Sequence, residues 1–144
     1  MSKTRVLFVC TQNSARSQIA EAFLNESAGD RFEAYSAGLE AGQLNQLVVE
    51  AMREVGIDIS RNKTKKVFDL FKRGELFAYV IAVCDEATAQ RCPTFPGLKQ
   101  SRITWSFDDP AQFTGTHEER LDRVRKLRDE IKKKVLDFVE SAAG

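Results

Sequence analysis

The chain has 144 residues, enough for one domain with a single sizeable core. Its 22 basic and 21 acidic residues nearly cancel, which argues against nucleic acid or an anionic membrane as a main partner. The three cysteines are an odd number and too few for a secreted disulfide scaffold, so they read as chemistry or packing in a reducing compartment. Met1-Ser2-Lys3-Thr4 leads straight into a short apolar run, with no signal-peptide core and no stretch long enough to span a bilayer, so a soluble cytoplasmic protein is expected.

Arg5-Val6-Leu7-Phe8-Val9-Cys10 reads as a strand buried on both faces. From Arg16 onward, Ile19, Ala20, Phe23 and Leu24 fall at helical spacing, and the helix is expected to end near Ala28-Gly29. Between them lies the polar loop Thr11-Gln12-Asn13-Ser14-Ala15. A strand that feeds a helix through such a loop turns backbone N–H groups and the positive end of the helix dipole toward whatever sits in front of it. Cys10 and Arg16 bracket the loop with the spacing Cys-x5-Arg, followed by Ser17. A tetrahedral dianion needs several donors and a counter-charge, which the amides and the planar guanidinium fork supply. The same field lowers a thiol pKa from about 8.5 into the range of roughly 3.5–7.5, so Cys10 is expected to be a thiolate nucleophile with Ser17 as hydroxyl donor. The loop contains no glycine, and any left-handed residue in it is assigned to Asn13. A buried cysteine ending a strand is the plainer reading, but strand before, helix after and serine beside arginine weigh against it.

Downstream, Phe32 to Ala37 reads as a second strand stopped by Gly38, and a loop to Asn45 leads into a helix. Leu47, Val48, Ala51, Met52 and Val55 lie on one face of that helix, with Gly56 beyond its end. Val67 to Phe71 reads as a short helix, Phe77 to Cys84 as a third buried strand, and Ser101 to Trp105 as a weaker fourth. Thr116 with Glu119 three residues on is a capping-box signature. After it, Leu121, Val124, Leu127, Ile131, Val135 and Phe138 recur at spacings of three and four, which predicts a long amphipathic helix with Lys132-Lys133-Lys134 on its solvated face. His117, the only histidine, falls in its first turn, so a Cys–His or Ser–His–Asp mechanism has poor support. Strands alternating with helices imply an α/β three-layer sandwich, a parallel sheet with its ligand at the carboxyl ends of the strands. Cys10 and Cys84 both end predicted strands and are both expected to face that crevice. Helical geometry over 85–91 would put Cys84 and Cys92 roughly 12 Å apart, whereas a disulfide needs about 4.4–6.8 Å, so bonding them would require that segment to unwind. In Asp108-Asp109-Pro110, the proline biases Asp109 toward an extended conformation, and a carboxyl held against a dianion and a thiolate keeps its proton as a general acid needs. Asp-Pro is also a common turn dipeptide.

The run Cys10-Thr11-Gln12-Asn13-Ser14-Ala15-Arg16-Ser17-Gln18 resembles the loop shared by low-molecular-weight protein tyrosine phosphatases and thioredoxin-coupled arsenate reductases. The resemblance extends from about Arg5 to Val139 and includes Tyr35-Ser36-Ala37-Gly38 and Val55-Gly56-Ile57-Asp58-Ile59-Ser60. It implies one low-molecular-weight phosphatase-like catalytic domain over residues 1–144, with a four-stranded parallel sheet. It also implies an oxyanion cradle at residues 11–16 and Asp109 as the acid. Composition alone makes Cys84 a core residue and Cys92 an incidental thiol, whereas the resemblance makes them redox cysteines. Seven residues separate them here, one more than in the pattern associated with that family.

The phosphatases carry aromatic residues after the Asp-Pro, and here Ala111 and Gln112 stand there, favouring a small inorganic substrate. The resemblance therefore implies an arsenate reductase working through Cys10, Cys84 and Cys92, with no bound cofactor, thioredoxin as external reductant, weak phosphatase activity and a monomeric state. The alternatives are a tyrosine phosphatase using only Cys10, Arg16 and Asp109, and a non-catalytic oxyanion-binding or redox-sensing protein. Some family members hold potassium through positions matching Asn13, Glu21 and Ser36 and a fourth acid, whose place falls at Lys66 or Lys65. No metal is therefore assigned. The Lys66 ammonium is expected to support the loop through Asn13 or Glu21 in the ion's stead.

Overall fold

The computed structural model describes residues 3–83 and 101–142. Cys84 and Cys92, with the intervening segment on which the unwinding argument rests, lie outside the described residues.

Four strands form one parallel sheet: β1 (Thr4–Cys10), β2 (Phe32–Gly38), β3 (Tyr79–Ala82) and β4 (Ser101–Thr104), in the order β2-β1-β3-β4. Among the described residues the helices are α1 (Arg16–Ala28), α2 (Gln46–Arg53), α3 (Val67–Lys72) and α4 (His117–Ala142), with a 3₁₀ turn at Pro110–Gln112. This is the α/β layered architecture that the strand and helix patterns imply.

β1 is central and has neighbours on both sides, which is why Val6 to Cys10 are all buried. Its side chains alternate between two cores. Val6, Phe8 and Cys10 join α1, α2 and α4, while Leu7 and Val9 join Val67, Leu70, Phe77 and Val80 on the opposite face. Phe8 is fully buried and its ring lies 5.8 Å from that of Trp105. Burying a side chain of this size contributes roughly 1.5–3 kcal/mol before entropic costs.

The chain leaves β1 toward β2 on one side, and β3 adds on the other, so the sheet changes direction at β1. A crevice opens at the carboxyl end of a strand at such a switch point. Cys10 is the last residue of that strand.

Local signals set most element ends. The Asn45 side-chain oxygen accepts from Leu47 and Val48 N–H and starts α2. Thr116 and Glu119 bond reciprocally, each side chain to the other's backbone N–H, at 3.1 and 3.3 Å, forming the expected capping box ahead of α4. The six apolar residues of the α4 stripe are all buried, and Lys132, Lys133 and Lys134 are exposed.

The bounds of α2 and β3 differ from the sequence pattern, β3 closing at Ala82 rather than running on to Cys84. α2 ends at Arg53, so Val55 leaves the helical stripe and stands 42% exposed in the turn before left-handed Gly56. Phe77 precedes β3 and enters the second core, while Ala78 N–H bonds Arg5 O at 2.9 Å, because the parallel register with β1 begins only at Tyr79 opposite Val6.

Candidate active site

The loop from Cys10 to Arg16 is held from outside by its carbonyls. Leu39, Glu40, Gly42 and Asn45 donate their N–H groups to Cys10, Thr11, Gln12 and Ser14 O at 2.9–3.0 Å. Gln18 Nε2 reaches Asn13 O at 3.1 Å, and Ile19 N–H bonds Ala15 O at 3.0 Å. In a trans peptide the C=O and the following N–H point in opposite directions. Carbonyls drawn outward therefore turn the amides of this loop inward.

The segment 38–45 can lie this close because of two glycines. A Cβ on Gly38 would stand 2.6 Å from Asn13 N and 2.7 Å from Gln12 C, and one on Gly42 would stand 2.7 Å from Gln12 Oε1. Sequence reasoning passed over this brace. Its signal was the pair of glycines four residues apart just after a strand.

Cys10 is buried, at 2% exposure. Its Sγ lies 2.9 Å from Ser17 Oγ and accepts from Asn13 N–H at 3.2 Å. Asn13 is in the left-handed region with φ 55°, as expected for this loop, and its Nδ2 donates to Ser17 Oγ at 2.8 Å. Arg16 opens α1 with its guanidinium almost wholly buried. Nη1 donates to Phe107 O at 3.0 Å, and Nη2 is 3.9 Å from Asp109 Oδ2. Asp109 is extended, as Pro110 requires, and its Oδ1 accepts from Ala111 N–H at 3.0 Å, capping the 3₁₀ turn. Asp109 thus caps the turn and also stands beside Arg16 on the cavity.

These groups surround a cavity of about 180 Å³. Thr11, Gln12, Ser14, Ala15 and Arg16 line it with Cys10 at its base. Asp109, Ala111 and Gln112 form the opposite wall. Asn13 is fully buried behind the loop and is not part of the lining. Chemically this is a sulfur nucleophile hydrogen-bonded with Ser17 and Asn13, facing inward amides, a fixed guanidinium and a carboxyl. Such a set can bind a tetrahedral oxyanion, attack its centre and protonate a departing oxygen.

Glu21 sits behind the loop and accepts from Ser36 Oγ at 3.1 Å. Burial pushes its carboxyl above the usual range, opposed by the charge of Lys65 and by the Ser36 bond. The expectation for Lys66 is corrected here. Its ammonium is half exposed and 3.8 Å from Glu40, because its backbone bridges Gly38 and caps α3 and so directs the side chain elsewhere. Lys65 is the lysine that meets the loop's support, through its backbone N–H to Asn13 Oδ1 at 3.0 Å and its charge on Glu21. Among the described residues no group of three or more His, Cys, Asp or Glu is placed to hold a metal.

Residues 5–143 match the family model described as Low molecular weight phosphotyrosine protein phosphatase. The chain belongs to this family. Within the low-molecular-weight phosphatase family it is 42% identical over 142 residues to an arsenate reductase of Halalkalibacterium halodurans, covering 98% of this chain and 99% of that one. Among solved structures, an arsenate reductase in the phosphate binding state matches with a TM-score of 0.75 at 25% identity, over 96% of this chain and 98% of that chain. A thioredoxin-dependent arsenate reductase of Corynebacterium glutamicum matches with a TM-score of 0.62 at 30% identity, over 93% of this chain and 62% of that chain. Among the described residues no helix is long and apolar enough to cross a membrane.

Proposed function

We propose that this protein is an arsenate reductase regenerated by thioredoxin. The observation that carries the reading is the Cys10 sulfur held at the base of an oxyanion-sized cavity, bonded by Ser17 and Asn13 and faced by Arg16 and Asp109. Full-length similarity to proteins named arsenate reductase supports arsenate as the oxyanion. Ala111 and Gln112 on the cavity wall offer no aromatic surface for a tyrosyl ring, which favours a small inorganic substrate over a phosphoprotein.

The inward amides of the cavity-lining residues Thr11, Gln12, Ser14, Ala15 and Arg16, with the Arg16 guanidinium, bind the arsenate dianion, while the Asn13 N–H is spent on Cys10 Sγ. Cys10 attacks arsenic, forming an S–As bond while the departing oxygen takes its proton from Asp109. Cys84 then attacks Cys10 Sγ. The S–As electron pair goes to arsenic, which leaves as arsenite, and a Cys10–Cys84 disulfide forms. As(V) gains two electrons, and two thiolates joined as one disulfide supply them. Cys92 next displaces Cys10 from Cys84, and the resulting Cys84–Cys92 disulfide is reduced by a dithiol of the thioredoxin class. Val83, the residue before Cys84, donates its N–H to Val9 O at 2.9 Å. Val83 therefore lies beside Val9, the residue that precedes Cys10, which supports an exchange between Cys84 and Cys10. A dithiol reductant of this class is consistent with work in the cytoplasm.

The test is arsenate-dependent NADPH oxidation with thioredoxin and thioredoxin reductase, run beside aryl-phosphate hydrolysis. Turnover that requires Cys10, Cys84 and Cys92 is expected. Hydrolysis of aryl phosphate with no arsenate-dependent oxidation would make the protein a phosphatase using Cys10, Arg16 and Asp109. Anion binding without either turnover would leave it an oxyanion-binding protein.

A further inference from the structure

Gln18, the third residue of α1, is fully buried, and the chemistry above makes no use of it. Its carboxamide is bonded at both ends. Nε2 lies 3.1 Å from Asn13 O, 3.1 Å from Asn13 Oδ1 and 3.2 Å from Lys63 O, and Oε1 accepts from Asn62 Nδ2 at 3.1 Å. A side chain that merely filled this space could be methionine, which brings no polar atoms to satisfy.

The polarity of these bonds is fixed by groups that cannot reverse. The carbonyls of Asn13 and Lys63 only accept, so the NH₂ end of Gln18 must face them. The Lys65 backbone N–H only donates, and it points at Asn13 Oδ1. Asn13 Oδ1 is thereby held as an acceptor for two donors, and Nδ2 is turned to Ser17 Oγ at 2.8 Å. Ser17 Oγ accepts that bond, which leaves its own hydrogen for Cys10 Sγ at 2.9 Å. A hydroxyl that donates to sulfur stabilises the thiolate over the thiol.

We infer that Gln18 is a positioning residue that sets the direction of the chain Gln18–Asn13–Ser17–Cys10 and so holds the Cys10 thiolate, tying the nucleophile to the segment 62–65. Its bonds to both the backbone and side-chain oxygens of Asn13 also help hold that residue in the left-handed conformation, which asparagine tolerates better than most residues with a Cβ. The other charges facing this assembly are Arg16 and Asp109 across the cavity and the Glu21 and Lys65 pair behind the loop. None of them is altered by a change at Gln18.

The inference rests on Cys10 being the nucleophile proposed above, and the readout is thiol titration rather than turnover, so the two can fail separately. In a protein with Cys84 and Cys92 replaced by Ser, the pH dependence of Cys10 alkylation and of thiolate absorbance is measured for Gln18→Met. An upward shift of about one pH unit in the Cys10 titration is expected. The same substitution in a Ser17→Ala background is expected to shift it no further, because the path through the hydroxyl is already cut. Asn62→Ala removes only the outermost donor, at an exposed residue, and is expected to move the titration in the same direction by less. A lower melting temperature with an unmoved Cys10 titration in both Gln18→Met and Asn62→Ala would make Gln18 a packing residue and overturn the inference. So would a Gln18→Met shift that persists in full without Ser17.

Discussion

Replacing Gly38 by alanine tests how the oxyanion loop is held in place. The added Cβ would stand 2.5 Å from Glu40 O, 2.6 Å from Asn13 N and 2.7 Å from Gln12 C. All three are backbone atoms, so no side-chain rotation relieves the contact. Regaining a separation of about 3.5 Å moves the loop or its brace by roughly 0.8–1 Å. That movement stretches the bonds from Leu39 and Glu40 N–H to Cys10 and Thr11 O, which are 3.0 and 2.9 Å long. A displacement of about 1 Å in positioning groups costs on the order of 10²-fold in rate, or about 2.7 kcal/mol of transition-state stabilisation. Overpacking adds a loss of roughly 1–3 kcal/mol in stability. Calorimetric binding of phosphate, single-turnover arsenate reduction and thermal melting read these effects separately. A Gly38→Ala protein with wild-type phosphate affinity and single-turnover rate would refute the claim that this contact fixes the loop.

Cys10→Ser and Arg16→Ala are each expected to abolish reductase activity and any phosphatase activity, since one removes the nucleophile and the other the clamp on the anion; near-normal turnover in either would place the chemistry elsewhere. Asp109→Asn is expected to slow the first chemical step by about 10²–10⁴-fold while sparing phosphate binding, and an unchanged single-turnover rate would return Asp109 to its turn-capping role alone. Glu21 holds its proton more tightly folded than unfolded, so its ionisation costs stability as pH rises from the ordinary carboxylate value through the raised one, and that cost persists above. Glu21→Gln is therefore expected to gain melting temperature relative to wild type as pH rises from 4 to 8, and parallel pH curves for the two proteins would contradict this.

What could be read from the sequence was whatever depends on neighbours along the chain. The α4 stripe from Leu121 to Phe138 and the Thr116–Glu119 capping box follow from helical spacing and local bonds, and each is found as expected, as is a helix that begins just after Asn45. The same holds for the Cys10–Ser17 pairing and left-handed Asn13, because a strand-loop-helix unit closes on itself within eight residues. Features set by distant partners were not legible. Val55 continues the α2 pattern, yet the helix has already ended at Arg53. The brace from residues 38–45 and the bonds of Gln18 to Asn62 and Lys63 join segments more than twenty residues apart, and no periodicity announces them. The direction of the Lys66 side chain likewise depends on the Gly38 bridge, so Lys65 rather than Lys66 reaches the support of the loop.

The central claim is that three thiols pass two electrons to one oxyanion in a fixed order. Cys92→Ser keeps the nucleophile and the first resolving thiol, so a single addition of arsenate without reductant tests that order most directly. The expected result is one equivalent of arsenite per protein, followed by arrest as a Cys10–Cys84 disulfide recovered by peptide mapping. Repeated turnover of Cys92→Ser with thioredoxin at the wild-type rate would contradict the three-cysteine account, even if the protein still reduced arsenate.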